Sequence, residues 1–285
     1  MARLGNYNTN VRYQAKVLSS ERLTPPDTEE IREIQIEVQD PEFNCQVDQS
    51  FGVLVAANED FGNEWHHRLY SVADLPEKKG KNTRIMFLVK RCSYIDEFSG
   101  EIYPGIASNY LCDLMPEDKL MITGPFELPF TIPEDPSANL IFIGMGTGIA
   151  PFRAFIKHIY HQEKKWKGSI QLYYGARSGL ELLYMNDEAG DLTNYYDEET
   201  FEAFHALSPR PDWDDPIALE ATIVGRAEKV LEALAQSNTY IYVAGHLKVR
   251  KQLDDAFAEI LGSLDQWTRR KAELIAGHKW AEIIY

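Results

Sequence analysis

Leu140-Ile141-Phe142-Ile143-Gly144-Met145-Gly146-Thr147-Gly148-Ile149-Ala150-Pro151-Phe152-Arg153 is the stretch whose reading decides the fold. Leu140–Gly144 is an apolar run, the pattern of a strand buried on both faces. A glycine-rich turn follows, and then a helical stretch over Ala150–Gln162. Strand, tight turn and helix in that order place the turn at the carboxyl end of a parallel strand, where open α/β sheets bind ligands. Glycine lets a ring or a phosphate approach the backbone, and a helix N-terminus favours an anion. The plainer alternative is a tight strand–helix turn with no ligand.

Working outward, Ile170–Tyr174 and Thr239–Ala244 are further apolar strands, and Leu247–Leu261 has the spacing of an amphipathic helix. Alternating strands and helices predict a parallel sheet covered on both faces. Asp197–Asp215, acidic and proline-bearing, is the least regular stretch. Upstream the pattern changes. Val11–Val17 and Ile31–Val38 largely alternate apolar and polar residues; Phe51–Ala56, His67–Val72, Arg84–Arg91 and Lys119–Thr123 are further strand candidates, and Asn109–Leu114 reads as a short helix. Short strands with turn signals between them suggest a barrel or sandwich. Pro129–Asn139, rich in proline and acid, reads as a linker, so the expectation is two domains, 1–135 and 136–285.

The 285 residues carry a net charge of −15, distributed as −10 over 1–135 and −5 over 136–285. That balance argues against nucleic acid or an anionic membrane as partner. No apolar run approaches the ~18 residues of a membrane span. Cys45, Cys92 and Cys112 have neither disulfide-framework nor metal-ligand spacing, and the opening Met1–Asn6 has no targeting pattern. A cytoplasmic protein is the expectation.

Two more clusters carry chemistry. Arg68-Leu69-Tyr70-Ser71 lies on a predicted strand, which sets Arg68 and Tyr70 on one face and Ser71 on the other. Arginine can pair with a pyrophosphate, tyrosine can stack on an aromatic ring, and a serine hydroxyl can donate to a ring nitrogen. Gly105-Ile106-Ala107-Ser108-Asn109 opens the short helix, whose N-terminus can hold a second anionic group. Alone, the first could be a surface cation beside a core tyrosine, and the second only a capped helix.

In order along the chain stand Arg-Leu-Tyr-Ser (68–71), Leu-Val-Lys-Arg (88–91), Ser-Asn-Tyr-Leu-Cys-Asp-Leu (108–114), Thr-Gly-Pro-Phe (123–126), Gly-Thr-Gly-Ile-Ala-Pro-Phe-Arg (146–153), Leu-Leu-Tyr (182–184) and a final Tyr285. This series resembles the plant-type ferredoxin–NADP+ reductase family from about residue 11 onward. The resemblance implies a six-stranded antiparallel β-barrel holding FAD, then a nicotinamide-nucleotide α/β domain. It implies that Arg68 and Ser108, with Leu69, Gly105, Ile106 and Ala107 around them, serve the FAD pyrophosphate region. Tyr70 stacks on the isoalloxazine, Ser71 bonds near its N5, Tyr94 stacks on the adenine, and Tyr285 is a movable cover over the opposite flavin face. Lys90, Gly146, Thr147, Gly148, Ala244 and Gly245 serve the nicotinamide nucleotide; Ser71, Thr147 and Tyr285 are the catalytic set. Arg177, Ser178, Arg210 and Arg226 are candidates to read a 2′-phosphate, which favours NADP(H), with NAD(H) the alternative.

The implied activity moves hydride between NADP(H) and flavin, and single electrons to a ferredoxin or flavodoxin. A reductase component feeding a terminal oxygenase, and a flavin relay subunit without nicotinamide chemistry, are the competing readings. Lys78, Lys79, Lys81, Arg84, Lys90 and Arg91 are the expected basic docking face for an acidic carrier.

Three departures stand out against the family pattern. Ala244-Gly245 replaces Cys-Gly. Ile283 stands where a glutamate is usual, with Glu282 one position off; on a strand that shift turns the carboxylate to the other face. The run Thr222-Ile223-Val224 lacks the tyrosine on which the family stacks adenine. His66 and His67 lack the further ligands a metal site needs; His158 and His161, at a three-residue helical spacing, could share a face, but the surrounding lysines make it a solvated surface; Asp187 and Glu188 read as surface charge, and Trp166, Trp213 and Trp267 as packing residues.

Overall fold

The computed structural model describes residues 7–56, 64–96, 99–161, 165–186, 190–213 and 215–285. The opening segment 1–6 and the pair Asp187 and Glu188 lie outside them. By contacts the chain divides into two compact units, one of Met1–Leu128 with Arg153–His158, the other of Pro129–Phe152 with Ile159–Tyr285.

The first unit is built on an antiparallel sheet. Its strands are β1 (Arg12–Arg22), β2 (Ile31–Val38), β3 (Gln49–Ala56), β4 (Trp65–Ser71), the three-residue β5 (Glu77–Lys79) and β6 (Asn82–Lys90). After the small hairpin of β7 (Ser93–Ile95) and β8 (Ile102–Pro104) come helix α1 (Ile106–Asp113) and the last strand, β9 (Lys119–Glu127). The order β4-β3-β9-β1-β2-β6-β5 contains six long strands and one short addition. The sheet curls until the chain leaving β4 bonds back to β6, with Ala73 N donating to Met86 O at 2.8 Å. That closure makes it a barrel. The alternation in β2 is the cause at the level of sequence: Ile34 and Ile36 are fully buried and join Phe51, Phe87 and Ile122 in one core. Helix α1 starts at Ile106, three residues before the sequence reading placed it, and Leu111 and Cys112 pin it to that core.

The second unit holds β10 (Asn139–Met145), the two ends of α2 (Ile149–His161, whose Arg153–His158 count with the first unit), β11 (Ile170–Ala176), β12 (Phe201–Leu207), α3 (Leu219–Val224), α4 (Ala227–Ala235), β13 (Thr239–Gly245), α5 (Val249–Leu261), α6 (Leu264–Ala276) and β14 (Trp280–Ile284). The sheet order is β12-β11-β10-β13-β14, every pair parallel. Both faces are covered, as the near-continuous apolar strands require. Ile141 and Ile143 join the core with α3, α5 and α6, while Phe142 between them stacks on Phe152 of α2 at 4.8 Å. Helix α5 buries Val249, Leu253, Ala256 and Phe257, the spacing of one helical face. Phe130, inside the expected linker, is buried and stacks on Tyr242 at 4.8 Å.

Several elements lie outside the sequence reading, among them β12, α3, α4 and α6. The stretch read as least regular contains β12. As an edge strand, β12 buries only Phe201 and Ala206 and leaves its other residues half-exposed or open, so the apolar pattern is weak. Helix α6 was not foreseen, because it buries only Trp267 and Leu274.

Candidate functional site

In the first unit, strand alternation sets Arg68 and Tyr70 on one face of β4, opposite Val53 and Phe51 of β3. Tyr70 leans on Phe51 (6.4 Å) and Phe87 (5.3 Å), and burial pushes its phenol pKa up, so it stays neutral and serves as a ring surface. Arg68 is exposed; its Nη1 donates to the carbonyl of His67 at 2.9 Å. Ser71 and Leu69 fall on the other face of the strand.

Helix α1 packs beside β3, β4 and β6. No side chain caps its N-terminus at Gly105, so the first amides of Ile106, Ala107 and Ser108 point at an anion-ready end. Ser108 Oγ accepts from Cys92 N at 3.1 Å and donates to Gly105 O at 3.4 Å, which braces the turn. On the β7–β8 hairpin the ring of Tyr94 lies nearly parallel to Tyr103 at 5.6 Å and stays 49% exposed. An arginine, an open helix end, a supported tyrosine and a second, exposed aromatic form a donor set that fits FAD in chemistry.

Lys90 is ion-paired with Glu29 at 2.6 Å. Of its neighbours in the expected basic face, Lys79 pairs with Glu77, Arg84 with Glu37, and Arg91 with Glu30 and Asp113, whereas Lys78 donates to the Phe43 carbonyl. The Arg91 bond holds the Glu30 carboxyl below its ordinary pKa, and Arg84 does the same for Glu37. That stretch is therefore charge-compensated rather than a strong positive patch.

In the second unit the strand order turns around between β10 and β13, which makes the crevice at their carboxyl ends the topological switch point. Gly146–Gly148 forms a tight 3-10 turn there, with Gly146 at φ +53°. The turn passes so close to β13 that a Cβ on Gly148 would lie 2.1 Å from Ala244 O, so only glycine fits. The buried Tyr174 hydroxyl donates to Gly146 O at 2.9 Å and fixes the turn from below. Strand β14 runs beside β13, pairing Ile284 with Gly245, and Tyr285 N donates to Gly245 O at 3.2 Å. The Tyr285 phenol then crosses the crevice. Its hydroxyl accepts from Thr147 Oγ1 at 3.0 Å and donates to Met145 O at 3.2 Å. The structure thus brings Gly146, Thr147, Gly148, Ala244, Gly245 and Tyr285 together.

Glu282 goes elsewhere. It accepts from Arg250 Nε of α5 at 2.7 Å and from Trp280 Nε1 at 2.8 Å, and it lies 3.6 Å from Lys271 Nζ of α6. Its carboxylate is turned to the helices, as the one-residue shift predicts.

Arg177 and Ser178 follow the end of β11, and Arg210 follows the end of β12, at the same carboxyl edge of the sheet. Each has an internal partner. Arg177 donates twice to Pro211 O, at 2.9 and 2.6 Å; Ser178 Oγ donates to Glu181 at 2.9 Å; Arg210 forms a fork with Asp215, at 2.8 and 3.2 Å. Arg226 is set apart from them. It stands at the N-cap position of α4 without a side-chain capping bond, and its guanidinium lies 5.1 Å from the ring of Phe204, in the middle of β12. Trp213, read from the sequence as packing, is 76% exposed three residues past Arg210, whereas Trp267 is buried. The sequence reading also missed Ser208, Asp215 and Tyr174. The Pro-Arg-Pro-Asp-Trp run of 209–213 was the available signal, because two prolines so close after a strand mark a stiff, ordered loop.

A β-barrel with a dinucleotide-compatible donor set and a doubly wound unit with a glycine turn at its switch point define a nucleotide-dependent oxidoreductase of the two-unit flavoprotein class. Residues 142–254 match the family described as the oxidoreductase NAD-binding domain. The chain is 31% identical over 245 residues to the chloroplastic leaf isozyme 1 of ferredoxin–NADP reductase from Arabidopsis thaliana, an alignment spanning 83% of this chain and 67% of that protein. To the ferredoxin–NADP reductase of Spirulina sp it is 28% identical over 276 residues, 94% of this chain and 93% of that one. Its fold is similar to that of ferredoxin-NADP+ reductase from Plasmodium falciparum, with a TM-score of 0.71 over 98% of both chains at 20% identity. A mutant of that protein in complex with 2'P-AMP gives a TM-score of 0.73. The chain belongs to the ferredoxin–NADP reductase family.

Proposed function

We propose that this protein is an FAD-dependent reductase that moves electrons between NADP(H) and a ferredoxin. The observation that carries the reading is the switch-point crevice: a glycine-only turn beside β13, with the Tyr285 phenol laid across it and tethered to Thr147. A nicotinamide entering that crevice must displace the phenol, which leaves Tyr285 as a removable cover. FAD, when bound, supplies the hydride and one-electron chemistry, and the protein supplies orientation and electrostatics. In the first unit Arg68 and the open end of α1 would hold its pyrophosphate, Tyr70 its ring system and Tyr94 its adenine, with Ser71 beside the ring. In the second, Thr147 and the backbone around Gly146, Gly148, Ala244 and Gly245 would position the nicotinamide.

Of the four phosphate-reader candidates, Arg177, Ser178 and Arg210 are supported by their common edge, and Arg226 by sequence alone. Ferredoxin is favoured over a flavodoxin or a terminal oxygenase because the relatives carry its name. The compensated charge around Lys79–Arg91 lends the docking-face reading little support. No helix among the described residues is long and apolar enough to cross a membrane. A cytoplasmic setting is supported by three unpaired cysteines.

Anaerobic stopped-flow mixing of the flavin-loaded protein with NADPH, and separately with NADH, tests the reading. Fast bleaching of the flavin band with NADPH preferred supports it. Preference for NADH moves the assignment toward an oxygenase reductase, and no bleaching with either nucleotide refutes hydride transfer.

A further inference from the structure

Two tyrosine hydroxyls hold consecutive carbonyls at the glycine turn. Tyr285 donates to Met145 O at 3.2 Å, and Tyr174 donates to Gly146 O at 2.9 Å. The two phenols differ in their surroundings. Tyr285 is 57% exposed, whereas Tyr174 is fully buried in the apolar strand β11. Tyr174 sits on β11 directly beside Gly144 of β10, where a Cβ would lie 3.5 Å from the Tyr174 ring. The bare glycine leaves the ring its space, and the phenol reaches along β10 to the turn two residues on. Its hydroxyl also accepts from the backbone N–H of Leu183, in the Leu-Leu-Tyr segment that follows β11. Burial pushes the phenol pKa up, with Tyr285 and Glu181 adding to the effect, so Tyr174 remains a neutral donor.

A hydroxyl buried in an apolar strand costs desolvation unless it is bonded, and phenylalanine would fill the same space without that cost. Here the bonds tie the glycine turn to the segment after β11. Gly146 O is also the carbonyl that closes the 3-10 turn with Ile149 N, so the Tyr174 bond acts on the turn's own hinge. When a nicotinamide displaces the Tyr285 phenol, Met145 O and Thr147 Oγ1 lose their bonds to it, while the bond on Gly146 O remains. We propose that Tyr174 is a positioning residue for the nicotinamide: it is the permanent anchor that keeps the glycine turn in shape once Tyr285 has left, so that the ring enters a preformed crevice. The proposal rests on the reading of that crevice as the nicotinamide site.

The test compares the Tyr285→Ser protein, whose crevice is uncovered, with the same protein carrying Tyr174→Phe as well. Phenylalanine keeps the buried ring and removes only the hydroxyl. Calorimetry follows NADP+, which carries a nicotinamide, and 2'P-AMP, which carries none, at a temperature where melting curves show both proteins folded. Tyr174→Phe is expected to weaken NADP+ by about three- to tenfold, the effect of one lost hydrogen bond, and to leave 2'P-AMP unchanged. Equal NADP+ affinity in the two proteins overturns the anchor alone. Weakening of both ligands by the same factor also overturns it, because the hydroxyl then supports the unit as a whole rather than the turn. A Tyr285→Ser protein that binds NADP+ no better than 2'P-AMP overturns the reading of the crevice together with the anchor.

Discussion

The Tyr285 hydroxyl accepts a hydrogen bond from Thr147 Oγ1 at 3.0 Å across a separation of 138 residues. The same hydroxyl donates to Met145 O at 3.2 Å, so the phenol is latched to both sides of the glycine turn. A net hydrogen bond is worth about 0.5–1.5 kcal/mol. Tyr285→Phe, which unlatches the ring but keeps it, is expected to tighten NADP+ binding by about two- to tenfold. Tyr285→Ser, which removes the cover, tightens it further. Difference-spectrum titration measures both; unchanged affinity in the two variants would show that the phenol does not compete with nicotinamide.

The Arg210–Asp215 fork sets the second prediction. A phosphate must draw the guanidinium away from a carboxylate at 2.8 Å. Exposed pairs of this kind are worth about 0.2–1 kcal/mol. Asp215→Asn is therefore expected to strengthen 2'P-AMP binding by about 1.5- to fivefold and leave AMP unchanged, and Arg210→Ala to weaken 2'P-AMP selectively. Calorimetry on the two ligands separates phosphate reading from a general effect on the loop.

Glu282 holds α5, α6 and β14 together through Arg250, Lys271 and Trp280. Its side chain is 14% exposed, while that of Arg250 is 39% exposed, so screening reduces that bond. Glu282→Ala is expected to cost about 1–3 kcal/mol, a fall in Tm of about 3–10 °C. The rate of flavin reduction at a temperature where the variant is folded should not change. A normal Tm with slowed hydride transfer would move Glu282 from scaffold to catalysis.

Burial lowers the pKa of His66 and His67 on β4, with Arg68 adding to the effect. His67 Nε2 pairs with Thr123 Oγ1 at 2.9 Å, and its Nδ1 is buried with no partner among the described residues. The unfolded chain therefore takes up these protons more readily than the folded one. Their contribution is fully present above the ordinary histidine value of about 6.5 and is lost as pH falls toward the lower folded values. Urea midpoints measured from pH 7.5 down to 5 should decline, and His67→Gln should flatten the decline. A pH-independent midpoint over that range contradicts the assignment.

Much of this architecture is written locally. The apolar runs at Leu140–Gly144, Ile170–Tyr174 and Thr239–Ala244 are central strands of a covered sheet, so burial on both faces leaves a continuous hydrophobic signal. The alternation of Ile31–Val38 is equally plain, because one face of β2 meets the barrel core. Edge strand β12 and one-sided helix α6 were not legible, since each buries few side chains and its polar surface imitates loop composition.

The sequence by itself determined the change from an antiparallel to a parallel-sheet pattern, the glycine turn and the side on which Glu282 falls, because propensity, periodicity and strand alternation act over a few residues. Only the tertiary structure decided which of those residues share a site. Parallel pairing of β14 with β13 carries Tyr285 to Thr147, and the edge position of β12 carries Trp213 and Arg210 to the carboxyl edge while leaving Arg226 mid-strand. It also decided that Trp213 faces water and that the cations around Lys90 are matched by acids. Such contacts join residues far apart in the chain, and their partners are fixed by sheet order and register rather than by any local pattern.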